Sequence, residues 1–149
     1  MAPIPDSPRR LSFRIVVRKV EPPALDTPRS VLDEFDWICR SLGFFEEIDK
    51  DKTAAAIFRI LVLATERGEA LSSTAISERV LMSRGSVINH LNNLVRSGLV
   101  EKHGRYYVAR SASVFQTIEE LELDIDRVFE RMKERARQID ARLRQRIEQ

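Results

Sequence analysis

The stretch "SRGSVINHLNNLVRSGLVEKHGRYYVAR", Ser83–Arg110, decides the fold of this chain. On a wheel at about 100° per residue, Ser83–Ser97 places Val87, Ile88, Leu91, Leu94 and Val95 on one side. Gly85, Ser86, Asn89, Asn93 and Arg96 share the other side, with His90 on its flank. The apolar side gives the segment a reason to fold as a helix. The polar side lacks the glutamates and lysines of an ordinary solvated face and carries small residues, amides, an imidazole and arginine instead. Ser83 is placed to cap this helix and Gly98 to stop it. "LVEKHGRYYV" then reads as two short strands about a His103-Gly104 turn, because glycine in a two-residue loop is a hairpin signal.

Upstream, a helix is expected over about Lys52–Arg67, with Asp51 as its cap, Gly68 as its stop, and Ile57, Phe58, Leu61, Val62 and Ala64 as its core face. "GEALSS" reads as a connection to a short serine-capped helix at Thr74–Val80, and Leu81-Met82 as a tight turn. Short helix, tight turn, longer helix and hairpin make residues 52–110 a winged helix-turn-helix DNA-binding domain, in which the second helix of the pair enters the major groove. The residue types suit the groove. Asparagine pairs with adenine edges, arginine with guanine edges or phosphate, and serine with either. The candidate DNA-binding residues are Ser83, Arg84, Ser86, Asn89, His90, Asn93 and Arg96 on helix 83–97, with Lys102 and Arg105 on the hairpin. His90 reads either as a DNA contact or as a packed, hydrogen-bonded brace, and His103 as a plain turn residue. The formal charge of the whole chain is only +2, but residues 83–113 hold five bases against Glu101, whereas residues 30–52 hold seven acids against three bases.

The segment "LSSTAISERVLMSRGSVINHLNNLVRSGLVEKHGRYYV", Leu71–Val108, resembles the winged helix of ArsR-like transcriptional regulators, especially the archaeal ones, and more loosely that of the MarR group. The shared residues are Ser83, Val87, His90-Leu91, Leu94 and Gly98-Leu99-Val100, and the resemblance spans about residues 52–108. It implies DNA contacts from Arg84, Ser86, Asn89, His90 and Asn93. The cysteine clusters of the metal-sensing members are absent, and the wing is very short.

Flanking segments complete the organisation. Residues 1–29 read as an N-terminal arm, proline-rich and disordered to residue 10, followed by a half-buried strand at 11–20 in which Leu11, Phe13, Ile15 and Val17 share a face. The strand's partner is left open. Residues 30–51 hold a helix and a linker. Thr27 is the expected cap with Pro28 opening the helix; Val31, Leu32, Phe35, Ile38, Cys39 and Leu42 form its apolar stripe, and Gly43 ends it. From 113 to 149 a single long helix carries Ile118, Leu121, Ile125, Val128, Met132, Ala136, Ile139, Leu143 and Ile147 at spacings averaging about 3.6. A helix with so narrow a stripe needs a partner, and a second copy is the expected one, through Ile118, Leu121, Ile125, Val128, Met132, Ile139 and Leu143. Acids at Glu119–Asp126 and bases at Arg142–Arg146 favour an antiparallel pair centred near Met132–Lys133.

Much chemistry is excluded. A lone cysteine, Cys39, forms no intramolecular disulfide and reads as a buried core thiol; with two scattered histidines it offers no metal set, so no metal site and no cofactor are expected. There is no glycine-rich phosphate loop and no nucleophile–base constellation, so no catalytic residue is assigned and no enzyme is expected. No secretory signal or membrane span is evident, and the single cysteine fits a reducing cytoplasm, where the protein is expected on the nucleoid. The fold expected is mainly α with a small β-hairpin, a winged helix-turn-helix plus a long dimerisation helix. The function expected is that of a homodimeric transcriptional regulator of duplex DNA, its effector unknown. The competing function is a winged-helix protein–protein interaction module.

Overall fold

The computed structural model describes residues 2–3, 17, 20–22, 30–42 and 52–148, in two compact units, Met1–Thr117 and Ile118–Gln149. In chain order the elements are β1 (Ala2–Pro3), α1 (Val31–Ser41), α2 (Thr53–Glu66), β2 (Glu69–Ser72), α3 (Ser73–Val80), α4 (Arg84–Arg96), β3 (Val100–His103), β4 (Tyr106–Ala109) and α5 (Val114–Glu148). The mainly helical, winged helix-turn-helix architecture with a long C-terminal helix is as the sequence implies.

α2 is the centre of the first unit. It is apolar on nearly every side, so it is wrapped rather than laid on a surface: Ala54, Ala55, Ile57, Phe58, Leu61, Val62 and Ala64 are all buried. α1, α4 and the sheet pack around it. Ile76 from α3, Val87, Leu91 and Leu94 from α4, and Leu71, Leu99 and Val100 from the sheet region complete the core. Each large side chain so buried stabilises the fold by about 1.5–3 kcal/mol, before the opposing loss of conformational entropy. Phe35 of α1 meets Phe58 edge to face, with ring centroids 5.5 Å apart. Cys39 is buried on α1, as its place on the apolar stripe requires. The Trp37 indole N–H donates to the Val20 carbonyl at 3.1 Å, which fixes the preceding chain to α1.

The sheet is antiparallel with order β1-β2-β4-β3. Two of its strands depart from the sequence reading. "GEALSS" contains β2, which pairs Leu71 with Tyr107 and Ser72 with Tyr106. Ala70 and Leu71 are consecutive and both buried, so the alternation that signals a half-buried strand is absent. The stretch expected to be a disordered arm includes β1, whose Ala2 and Pro3 lie opposite Ala70 and Glu69. Proline is tolerated there because β1 is an edge strand. Of the strand expected at 11–20, Val17 and Val20 are in no strand, and its other residues lie outside those described, as do Thr27, Pro28, Gly43 and Asp51.

The caps are corrected too. Ser30, not Thr27, caps α1: its hydroxyl accepts the Asp33 N–H at 3.2 Å, and the Asp33 carboxylate accepts the Ser30 N–H at 3.3 Å. Lys52, in the left-handed region at φ 53°, precedes α2 with no side-chain cap. Its ammonium instead pairs with Asp33, tying the start of α2 to the first turn of α1. That bond holds the Asp33 carboxyl below its ordinary pKa, aided by the Ser30 backbone N–H, and raises Lys52.

Candidate nucleic-acid interface

α3 and α4 are set by paired serine caps. The Ser72 hydroxyl accepts the Ala75 N–H and the Ser83 hydroxyl the Ser86 N–H, both at 3.2 Å. Between the helices Leu81 adopts φ 55° and is 90% exposed. Its left-handed turn reverses the chain, so that Val87, Leu91 and Leu94 of α4 are buried. At the far end Gly98, at φ 82°, stops α4, and the Ser97 hydroxyl donates to the Leu94 carbonyl at 2.8 Å.

With one side of α4 buried, Arg84, Gly85, Asn89, Asn92 and Arg96 form its exposed side. Asn92 is not on the expected face, yet a wheel at about 100° per residue places it about 20° from Gly85, on the side away from Arg96, so the signal is present in the spacing. Ser86, His90 and Asn93 are half-buried and lie to one flank. A Cβ built on Gly85 meets nothing within 4 Å, so this notch is open space rather than a packing requirement. No acid lies on α4.

The individual candidates differ in freedom. Ser83 is exposed, but its hydroxyl is engaged as the cap. The Arg84 Nε donates to the Ser73 hydroxyl at 3.3 Å, linking the first turn of α4 to the start of α3. The His90 Nδ1 is shielded from water with no hydrogen-bond partner among the described residues, which does not fit a hydrogen-bonded brace at that nitrogen. Asn89 and Arg96 are exposed.

The hairpin turns one residue later than expected. His103 is opposite Tyr106, so the two loop residues are Gly104 and Arg105. Gly104 takes φ 62° and Arg105 does not have positive φ, the pattern of a type II′ turn, which wants glycine at its first position. His103 therefore ends β3, where its Nε2 lies 3.1 Å from the Glu101 carboxylate. Arg105 is at the tip, its guanidinium over the Tyr106 ring at 5.0 Å and donating to the Tyr106 hydroxyl at 2.8 Å. Lys102 is exposed and its ammonium lies 5.7 Å from the Tyr107 ring centre. The hairpin is anchored by Arg110 N–H to the Leu99 carbonyl at 3.0 Å and by Ala109 N–H to the Thr65 hydroxyl at 2.9 Å. The exposed face of α4 and the basic residues of the wing thus belong to one compact unit.

Residues 51–103 match the family model of a helix-turn-helix domain. The match runs from the start of α2 to the end of β3 and so contains the whole helix-turn-helix and the first strand of the wing. It supports DNA as the partner of this domain. No curated protein and no solved structure matches the chain. Among the described residues no group of three or more His, Cys, Asp or Glu is placed to hold a metal ion, and no helix is long and apolar enough to cross a membrane.

The dimerisation residues expected on α5 divide in two. Val128, Met132, Ile139 and Leu143 are each more than half exposed, joined by Phe129, which helical spacing places at the edge of the expected stripe, and by Leu123, which it leaves off the stripe. Leu121 is buried within the single chain, and Ile118 and Ile125 are half-buried. Leu121 is therefore not free to meet a second copy, and the exposed stripe begins at Val128.

Proposed function

We propose that the protein is a sequence-specific, duplex-DNA-binding transcriptional regulator of the ArsR-like type. It acts as a homodimer on the nucleoid of the cytoplasm and reads the major groove with α4. The observation that carries this reading is the exposed side of α4: Gly85, Asn89, Asn92 and Arg96 in line, with Arg84 at the N-terminal end and no acid on the helix. A glycine notch lets the helix approach a surface closely, and amides and guanidinium are the groups that read base edges. Arg105 and Lys102 of the wing supply phosphate contacts. Val128, Met132, Ile139 and Leu143 form the seam with the second copy. No catalytic step is assigned to any residue.

The test is a titration of the full-length protein against duplex DNA fragments at several salt concentrations. The logarithm of affinity should fall linearly with the logarithm of salt, with a slope of about 0.9 per phosphate neutralised. One fragment selected from a genomic pool should bind far more tightly than mixed sequence. Absence of salt-dependent binding overturns the reading in favour of a winged-helix module that holds a protein complex.

A further inference from the structure

The C-terminal unit carries a charge arrangement that neither the helix-turn-helix nor the dimer seam uses. Residues 131–146 hold seven bases (Arg131, Lys133, Arg135, Arg137, Arg142, Arg144, Arg146) against two acids, Glu134 and Asp140. They are not scattered around α5. At about 100° per residue, Arg131, Arg135, Arg142 and Arg146 fall within about 60° of one another, directly beside the apolar stripe. The opposite flank carries both signs, with Glu122, Asp126, Lys133, Asp140 and Arg144.

Neighbouring bases on α5 are neutralised locally. Arg127 pairs with Asp124 at 3.5 Å, Lys133 with Glu130 at 3.0 Å and Arg137 with Glu134 at 3.1 Å. Arg131, Arg135, Arg142 and Arg146 are exposed and have no acid partner among the described residues. Arg135, Arg142 and Arg146 have no acid three or four positions away in either direction. What they have at that distance is each other: Arg131/Arg135 and Arg142/Arg146 are like-charge pairs one turn apart, which weaken a helix. An arrangement that costs helix stability and neutralises nothing within the chain calls for an anion from outside it.

A second copy of α5 does not supply an anion for all four. In a parallel pair this flank meets the mixed flank, three acids and two bases against four arginines. In an antiparallel pair it meets itself, and the acids of this flank, Glu120 and Asp124, are half-buried and buried within the single chain, Asp124 already holding Arg127. A polyanion does supply one, and arginine's planar fork suits phosphate oxygens two at a time. The line is about 22 Å long, from about 1.5 Å per residue. We infer that Arg131, Arg135, Arg142 and Arg146 form a second, sequence-independent DNA contact, a phosphate track on α5 separate from the reading helix. This rests on the DNA-binding reading above and names a further part of the chain that serves it.

The experiment compares wild type with Arg131→Gln/Arg135→Gln/Arg142→Gln/Arg146→Gln in salt titrations on a selected duplex and on mixed duplex, with mass in solution by light scattering. The variant should lose about 3.6 units of log–log salt slope per engaged copy, at about 0.9 per contact. Both duplexes should weaken alike, so the ratio between them is kept, and the mass and melting temperature should be at least those of wild type. A salt slope equal to that of a DNA-binding wild type overturns this inference and leaves the reading-helix proposal intact. Dissociation of the variant into monomers also overturns it, since the arginines would then belong to the seam. A wild type that binds no duplex in a salt-dependent way removes the underlying proposal itself.

Discussion

Asn89 and Leu91 stand two positions apart on α4 and face opposite ways, one exposed and the other fully buried. Their alanine variants should separate reading from folding. Asn89→Ala should melt as wild type does and lose about 1–3 kcal/mol of discrimination between the selected duplex and its variants, the worth of a two-bond contact to a base. Leu91→Ala should lose about 2–5 kcal/mol of stability and bind only as far as it stays folded. Thermal melts and gel shifts on the same preparations decide it; an Asn89→Ala protein that melts early, or binds and discriminates as before, means that the face has been assigned wrongly. Arg105→Ala at the hairpin tip should weaken every duplex alike and lower the salt slope by about one unit. The buried side of α4 is legible in the sequence because five apolar residues at helical spacing admit one orientation. Asn92 is equally available from the wheel, whereas Asn93 sits at the flank, where spacing alone does not separate exposed from half-buried. The engagement of Ser83 as a cap and the unpartnered Nδ1 of His90 depend on atoms that spacing does not place.

Elements carry their own tests. The Ser83 hydroxyl caps α4, so Ser83→Ala should cost about 1 kcal/mol, read as a lowered melting temperature. α1 is held at its start by Asp33, which completes the capping box and pairs with Lys52. Asp33 has a depressed pKa in the folded chain, so the stability it contributes is present above the unfolded value near 3.8 and is lost as pH falls through the lower folded value. Asp33→Asn should therefore be less stable than wild type at neutral pH, with the difference shrinking in acid below that value. A gap in melting temperature that is independent of pH would show that the carboxylate charge is not what matters. Helices are legible at this scale, and the strands β1 and β2 are not. α2, α4 and α5 announce themselves by long periodic patterns, while β2 is four residues long and β1 only two, too short for any pattern. The hairpin is recognisable from its glycine, but the turn expected from sequence lies one residue early, since only the pairing of His103 with Tyr106 shows that Gly104 opens it.

For the whole molecule, the exposed stripe of α5 makes the association state the decisive measurement. Val128→Glu with Ile139→Glu should halve the mass seen by light scattering and leave the melt of the helix-turn-helix unit in place, because neither residue belongs to that unit. A mass unchanged from wild type would remove α5 as the seam. Direction is a separate question. Acids at Glu119–Asp126 and bases at Arg142–Arg146 favour an antiparallel pair, although Asp124 is buried within the single chain and Arg131 and Arg135 then meet their own kind. With Cys39 replaced by serine, a single cysteine at Gln116 should not crosslink to itself in such a pair; efficient crosslinking there would establish the parallel arrangement.

The sheet order β1-β2-β4-β3 also sets an order in time. The hairpin of β3 and β4 and the junction of α3 with α4 join residues close in the chain and form quickly, whereas pairing Ala2 with Ala70 must close a loop of some 68 residues for the sake of a two-residue strand. β1 is therefore the last piece to arrive during folding and the first to leave during thermal breathing. Amide exchange should find the β2 protons that face β1 much less protected than those between β3 and β4. Proteolysis should find the start of the chain before it finds the reading helix, and a protein shortened by its first three residues should fold as fast as the full chain.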